Sequence, residues 1–246
     1  MSDSAIVRIQ NLDSSFGDVR VLSDINAVFR SGEISVVLGT SGTGKTTLMR
    51  HILGLLRPQS GTVEVLGADL ATVTEPELER VRRRIGVLFQ QGALLNSVSV
   101  FDNVRVPLEQ HTALPDPLID SMVRTKLALV GLQSAADALP SELSGGMRKR
   151  AAVARALALD PELLLCDEPA SGLDPLSARA LDQLLRDLQR RLGMSMIVIS
   201  HDVSGVRLTA DRVFFLHKGS IVFEGTVEDA DQSDQAELRE FLAAAL

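Results

Sequence analysis

The sequence predicts an α/β fold built on a parallel sheet, with a separate antiparallel β layer near its start and an inserted helical region. Three observations predict it. Short apolar runs alternate with helix-period stretches, which is how a parallel sheet and its covering helices are written in sequence. Strand signals stop near Gly92 and resume after Pro161, with only helical patterns between. Two strand-like runs, "AIVRI" and "INAVF", precede the first helix signal and are expected to form the antiparallel layer.

The elements follow in order. "EISVVLG" is an apolar strand running into Gly39, and "TTLMRHILGL" reads as the helix after it. "GTVEVLG" is a short alternating strand between glycines. Thr74 before Glu75-Pro76-Glu77 is a helix start, and "IGVLFQ" is a further buried strand. The helical region, about residues 92–161, holds Val100–Leu108, Leu118–Val130 and Met147–Leu159. "ELLLCDE", "MSMIVIS", "RVFFLHKG" and "SIVFEG" are strands, and a tail helix over about 235–246 places Leu238, Phe241 and Leu242 on one side. No internal repeat or low-complexity linker divides the chain, so a single domain over 1–246 is expected.

Composition narrows the function classes. A hydrophobic content of 45% is enough for a buried core, and a single cysteine rules out an intrachain disulfide. The opening "MSDSAIVRIQ" has early acid and no long apolar stretch, so no secretory leader is expected. No uncharged apolar run approaches the roughly 18 residues of a membrane helix, and a soluble chain is expected. A net charge of −7 and a pI near 5.2 argue against nucleic acid as a main ligand. The basic run "RVRRR" at Arg80–Arg84 is expected to be a solvated helix face.

Three motifs carry chemistry. Gly39, Gly44, Lys45 and Thr46 fit G-x-x-x-x-G-K-[ST] between a strand and a helix, the context of a phosphate-binding loop. There the backbone N–H groups of Gly39, Thr40, Ser41, Gly42, Thr43, Gly44, Lys45, Thr46 and Thr47 close around phosphates. Lys45 reaches the terminal ones, and the Thr46 hydroxyl can ligate Mg²⁺. The strand "LLLCDEP" ends in Asp167, placed for the magnesium shell, and Glu168, placed to polarise or deprotonate an attacking water. His201, in "VISHD", and Gln90, ending "VLFQ", also follow apolar strands, where α/β sites lie. His201 is a candidate for positioning the γ-phosphate or water. Gln90 is a candidate for ligating Mg²⁺ or sensing the γ-phosphate. Cys166 reads as a small buried hydrophobe. Much further along, "LSGGM" starts a second helix with Ser144, Gly145 and Gly146, again the grammar of an anion site.

Lys45, Gln90, "LSGGM", "LLLCDEP", "SGLD" and His201, in that order, resemble the motif set of ABC ATPases, the nucleotide-binding subunits of ABC transporters. The resemblance covers nearly the whole chain and implies a P-loop NTPase fold of ABC ATPase type, with ATP and Mg²⁺ as cofactors. It implies a homodimer packed head to tail, with ATP between one copy's phosphate loop and the other's signature helix. The two anion-ready starts would then serve different ATP molecules. It implies that "SGLD", ending in Asp174, crosses this interface, and that Phe16 stands where the family usually stacks a tyrosine on adenine. Met147 departs from the glutamine of many members, which removes any side-chain hydrogen bond there but leaves the Ser-Gly-Gly backbone site.

"GVLFQQGALLNSVSVFDNVRVPLEQHTALP" and "ELSGGMRKRAAVARALALDP" are similar to the ATPases of Mla/Mce-type bacterial phospholipid transporters. That similarity implies a membrane permease, a lipid-binding Mce protein, a small STAS-domain partner in many systems, and a peripheral place on the cytoplasmic face of the inner membrane. The tail is expected to be too short for the full C-terminal extension with which some relatives hold the dimer. Docking to the permease is expected around Leu94–Pro107, with Phe101 either in that contact or in the core. "LSGGM" also occurs in glycine-betaine-type importers, the alternative reading. A soluble ABC protein acting on DNA or ribosomes would need a long heptad insertion or two ATPase halves. A switch GTPase would need N-K-x-D, which is not present.

Overall fold

The computed structural model describes residues 4–243. Strands β1 (Ala5–Phe16) and β2 (Val19–Arg30) form a long antiparallel hairpin, and β3 (Ile34–Leu38) is buried along its whole length. Helix α1 (Lys45–Ile52) follows, then β4 (Ser60–Val65), the two-residue β5 (Ala68–Asp69), α2 (Glu75–Arg82) and β6 (Ile85–Leu88). Three helices come next: α3 (Val100–His111), α4 (Asp116–Leu129) and α5 (Gly145–Ala156). The chain then returns through β7 (Leu163–Asp167), α6 (Pro175–Leu192), β8 (Ser195–Ser200), α7 (Val203–Thr209), β9 (Arg212–His217) and β10 (Ser220–Gly225). It closes with α8 (Val227–Asp231) and α9 (Ala236–Ala243). The expected tail helix is thus seen to Ala243, and 244–246 lie outside the described residues, as do 1–3.

Two sheets form. The smaller is antiparallel, in the order β2-β1-β4-β5, so the "GTVEVLG" strand joins the early layer. The larger has the order β10-β9-β3-β8-β7-β6, parallel throughout except for the antiparallel edge pair β9–β10. Side chains alternate across it with the period of two that a strand imposes. Val36 and Leu38, Leu164 and Cys166, Met196 and Val198, and Val213 and Phe215 face a core shared with α3–α6 and Leu238 of α9. Val37, Leu163 and Leu165, Ile197 and Ile199, and Phe214 and Leu216 face the second core, under the antiparallel layer and α1. Phe29 of that layer meets Phe214 at 4.5 Å between ring centroids.

Helix starts follow side-chain caps. Ser99 Oγ accepts from Asp102 N at 3.0 Å, and α2 starts after Thr74 as expected from sequence, with Glu77 Oε2 accepting from Thr74 N at 2.9 Å. The stripe Val100, Val104, Leu108 is fully buried, and Phe101 is half-buried against the same core with the Arg124 guanidinium 5.4 Å over its ring. The basic run is only partly the helix face expected: Arg80–Arg82 end α2, Arg83 caps it, and Arg84 lies in the turn before β6. Arg83 pairs with Glu79, Arg84 forks onto Glu162, and Arg82 donates to the carbonyls of Leu53 and Gly54.

His51 lies on the inner side of α1 at 1% exposure, with Nδ1 3.1 Å from the Leu56 carbonyl and a buried, unpartnered Nε2. Burial pushes its pKa below the ordinary histidine value, with the Leu56 contact opposing. The sign is that of a group kept neutral by folding: its contribution is whole above the unfolded pKa of about 6.5 and is lost as pH falls below it. Thermal unfolding is expected to show a drop in Tm between pH 7 and pH 5 that is shallower in His51→Leu. Equal slopes in the two proteins would contradict this.

Candidate functional site

Parallel pairing brings the carboxyl ends of β3, β6, β7 and β8 to one edge, and the sequence motifs leave the sheet there. β3 ends at Leu38, and Gly39–Gly44 turn the chain into α1. A Cβ at Gly39 would stand 2.4 Å from the Leu216 carbonyl oxygen and 2.9 Å from Thr43 Oγ1. Gly44 is left-handed at φ 104, and a Cβ there would stand 2.7 Å from Leu22 Cδ2. Both positions therefore exclude a side chain, one by contact alone and one by contact and backbone together. Thr43 Oγ1 donates to the Thr40 carbonyl at 2.9 Å. Lys45 is buried, its Nζ donating to the carbonyls of Gly39 (2.7 Å) and Thr40 (2.9 Å). Thr40, Ser41, Gly42 and Thr46 are exposed, and Thr47 is half-buried.

The start of α1 differs from most of its neighbours. Helices α3, α5, α6, α7 and α8 each have a capping side chain, but α1 has no side-chain cap and no acid in its first turn. Its first N–H groups and its positive dipole end therefore have no protein side chain to satisfy them, the arrangement that binds an anion.

Opposite stand the acids. Asp167, the last residue of β7, is half-buried, and its carboxyl is held above the usual range by burial first and by the Glu168 charge second. Lys45 is pulled down by burial, with the charges of Glu168 and Asp167 opposing. Glu168 is left-handed at φ 49, its N–H donates to Ile199 O at 2.9 Å, and its side chain is 15% exposed. His201 Nδ1 lies 2.5 Å from Glu168 Oε2. Gln90, exposed beyond β6, donates from Nε2 to Ser171 Oγ at 3.3 Å. Cys166 is buried, and burial pushes its thiol up to about 12.

The second anion-ready turn stands apart. Ser144 caps α5, its Oγ accepting from Met147 N at 3.3 Å, so the helix begins at Gly145 rather than at Met147. A 320 Å³ cavity beside it is lined by Gln90, Gly145, Lys149, Ser171 and Leu173, and by no residue of the phosphate loop. Asp174 caps α6, accepting from Leu176 N (3.1 Å) and Ser177 N (3.0 Å), and hydrogen bonds from the Ser177 side chain first and the Ser177 backbone second lower its pKa. Phe16, 48% exposed, closes the β1–β2 turn opposite Val19. Two contacts of the site escaped the sequence reading. Ser171, the first residue of "SGLD", receives Gln90, and Lys149 donates from within α5 to the Gln90 carbonyl. The spacing of Lys149, Ala152 and Arg155, three residues apart along α5, is the trace that the second contact leaves in the sequence.

The donor set suits magnesium held jointly with phosphates. No group of three metal-ligating side chains occurs among the described residues, so the protein alone forms no cage. A hydroxyl (Thr46), an amide (Gln90) and one desolvated carboxylate (Asp167) are the sparse oxygen ligands Mg²⁺ accepts beside substrate phosphates.

A loop–helix phosphate cradle and a carboxylate pair on one edge of an open α/β sheet, with a signature turn set apart, define an ATP-binding cassette. The ABC transporter family model matches residues 22–171, and the chain belongs to that family. It is 42% identical over 237 residues to the intermembrane phospholipid transport system ATP-binding protein MlaF of Haemophilus influenzae, covering 96% of this chain and 90% of that one. It is 40% identical over 236 residues to the probable ribonucleotide transport ATP-binding protein mkl of Mycobacterium tuberculosis, covering 96% of this chain and 66% of that protein. Among solved structures it resembles a dimeric post-hydrolysis ATP-binding cassette bound to ADP and Pi, with a TM-score of 0.80, 29% identity, and coverage of 90% of this chain and 98% of that one.

Gly44→Ala is expected to cost about 1–3 kcal/mol of stability, the cost of a forced backbone region. It is also expected to weaken nucleotide binding, because the loop is displaced from β2. A denaturant midpoint and a nucleotide titration, each matching the parent, would sink this account of the loop.

Proposed function

We propose that this chain hydrolyses ATP as one half of a homodimer, and that hydrolysis drives phospholipid movement through a membrane permease. One observation carries the reading. The phosphate loop shares a sheet edge with the Glu168–His201 pair, while the signature turn opens on a cavity the loop does not line. A cassette so arranged needs a second copy to bring a signature turn to its phosphates. The dimeric form of the ADP-bound relative is consistent with that.

Each residue then has a part. The N–H groups of Gly39–Thr47 and the Lys45 ammonium hold the phosphates. Phe16 gives adenine an exposed ring face, and base stacking is worth roughly 1–3 kcal/mol. The partner copy's Ser144, Gly145 and Gly146 close on the γ-phosphate, with Asp174 steadying the loop that crosses the interface. Thr46, Gln90 and Asp167 hold Mg²⁺, which supplies charge neutralisation to the phosphates. The Glu168 carboxylate takes a proton from water as its oxygen bonds to γ-phosphorus. The bond to the β-phosphate oxygen breaks, giving ADP and phosphate. His201, 2.5 Å from Glu168, holds the carboxylate and stands ready for the γ-phosphate.

The permease contact belongs beside Gln90. A 380 Å³ groove there is lined by Phe89, Pro107, His111, Arg82 and Arg155, and Phe89 is 42% exposed. Phe101 packs into the helical core under Arg124, so Phe89 is the better docking residue. No helix among the described residues is long and apolar enough to cross a membrane. Membership of the ABC transporter family and the likeness to MlaF support a peripheral place on the cytoplasmic face of a bacterial inner membrane, with a permease, an Mce lipid-binding protein and a STAS-domain protein as partners and no nucleic acid. The likeness to MlaF supports phospholipid as the cargo.

Glu168→Gln is expected to bind ATP and lose roughly 10²–10⁴-fold in turnover. ATP-dependent dimers should then build up in size-exclusion chromatography. Near-parental turnover in a folded variant would remove Glu168 from its role. The cargo is tested by reconstituting the complex captured with its permease. ATP-dependent movement of a fluorescent phospholipid between vesicle and acceptor is expected. Movement of a small osmolyte instead would favour the glycine-betaine-type reading, and movement of a ribonucleotide the function named for mkl.

A further inference from the structure

Helix α5 does more in this fold than present the signature turn. Residues 149, 152 and 155, three apart, lie along the loop that leaves β6. Lys149 Nζ donates to the carbonyl of Gln90. Ala152 lies under Gly92, where an added Cβ would stand 3.3 Å from the alanine methyl. Arg155 donates to the carbonyl of Ala93. The loop is thus laid along α5 and held at both ends by cations. Gln90 in turn donates to Ser171 Oγ at 3.3 Å, and the Ser171 N–H donates to the Glu168 carbonyl at 3.1 Å.

Lys149 is the unusual member. It is buried, and burial pulls its ammonium below the ordinary lysine value, with the charge of Glu168 opposing. Desolvating an ammonium is costly, and the Gln90 carbonyl is the one hydrogen-bond acceptor it has among the described residues. An apolar side chain would fill the same space without that cost. The charge therefore secures something other than packing: the orientation of the Gln90 peptide, and with it the direction of the Gln90 side chain.

We propose that Lys149 is a positioning residue that ties the signature helix to Gln90, so that closure of α5 on one ATP sets the γ-phosphate sensor for the other. The two sites of a dimer are then coupled inside each chain as well as across the interface. The helix that starts at Ser144 serves the partner's nucleotide, and one turn later the same helix holds the glutamine that serves its own. This rests on the ATPase reading above.

The test is turnover against ATP concentration in the full chain for the parent, Lys149→Met, Lys149→Arg, Gln90→Ala and the double variant Gln90→Ala/Lys149→Met. Lys149→Met is expected to lower kcat by roughly ten- to a hundredfold with KM little changed, the scale of a misplaced catalytic geometry. Lys149→Arg, which keeps a charged donor, should recover most of it. In the Gln90→Ala background Lys149→Met should cost nothing more, because the side chain it orients is gone. Equal losses in the two backgrounds mean a merely structural lysine and overturn the proposal, as does full turnover in Lys149→Met. If Lys149→Met does not fold, Lys149→Gln takes its place in the same cycle under the same expectations. A folded parent that hydrolyses no ATP brings down the ATPase reading and this inference with it. A working parent with additive variants brings down the inference alone.

Discussion

The site depends on register. Leu38 pairs with Ser200, Asp167 with Ile199, and Leu88 with Cys166, all in parallel, so the strands of the central sheet end almost level. The phosphate loop, Gln90, Glu168 and His201 each leave from one of those ends. A slip of one residue in any pair would turn a strand's side chains to the opposite core and carry its site residue away with them. Apolar alternation fixes the register from both sides, because Val37 and Ile199 belong to one core and Val36 and Val198 to the other. Packing on the two faces of the sheet thus holds groups that lie beyond its edge.

Much of this was legible in the chain itself. A strand, a Gly-Lys-Thr loop and a helix in succession announce a phosphate cradle, because few other uses need glycines at those spacings. The acids after "LLLC" and the histidine after "MIVIS" were legible for the same reason, that strands of a parallel sheet end together. Local rules located α2 from Thr74 and the Glu-Pro-Glu after it, but the start of α5 lies at Gly145 rather than Met147, because the cap at Ser144 draws Gly145 and Gly146 into the helix. The helical region hid more. Phe101 is half-buried by Arg124, a residue of another helix, and no periodicity within α3 contains that. Asn103 is fully buried because it bonds to the loop before its own helix, through Leu95, Val98 and Ser99. Lys149 stands between arginines in "GMRKR", where nothing local distinguishes it, and only the Gln90 carbonyl reveals its part. What sequence missed were mostly polar side-chain contacts, some within one loop and helix, as at Asn103, and some between elements far apart in the chain, as at Lys149 and Phe101.

The three helices between β6 and β7 are joined to the sheet edge by polar contacts as well as by the shared core. Lys149 and Arg155 hold the loop beyond β6, and Gln90 reaches Ser171 in the loop beyond β7. Apolar surfaces can slide with little loss, but a cation on a carbonyl cannot move without breaking its bond. Movement of the helical region is therefore constrained to carry Gln90 with it, and the groove with Phe89 lies on that same loop.

The backbone at Glu168 adds a final constraint. With φ at 49 it occupies a region where a β-branched residue is badly placed and glycine sits at ease. Two requirements therefore meet at one position. The carboxylate makes the contact with His201, while the peptide around it would be more relaxed with no side chain at all. Glycine here would ease the turn and forfeit the carboxylate, and valine would lose both. Backbone ease and the contact with His201 thus pull in opposite directions at a single residue.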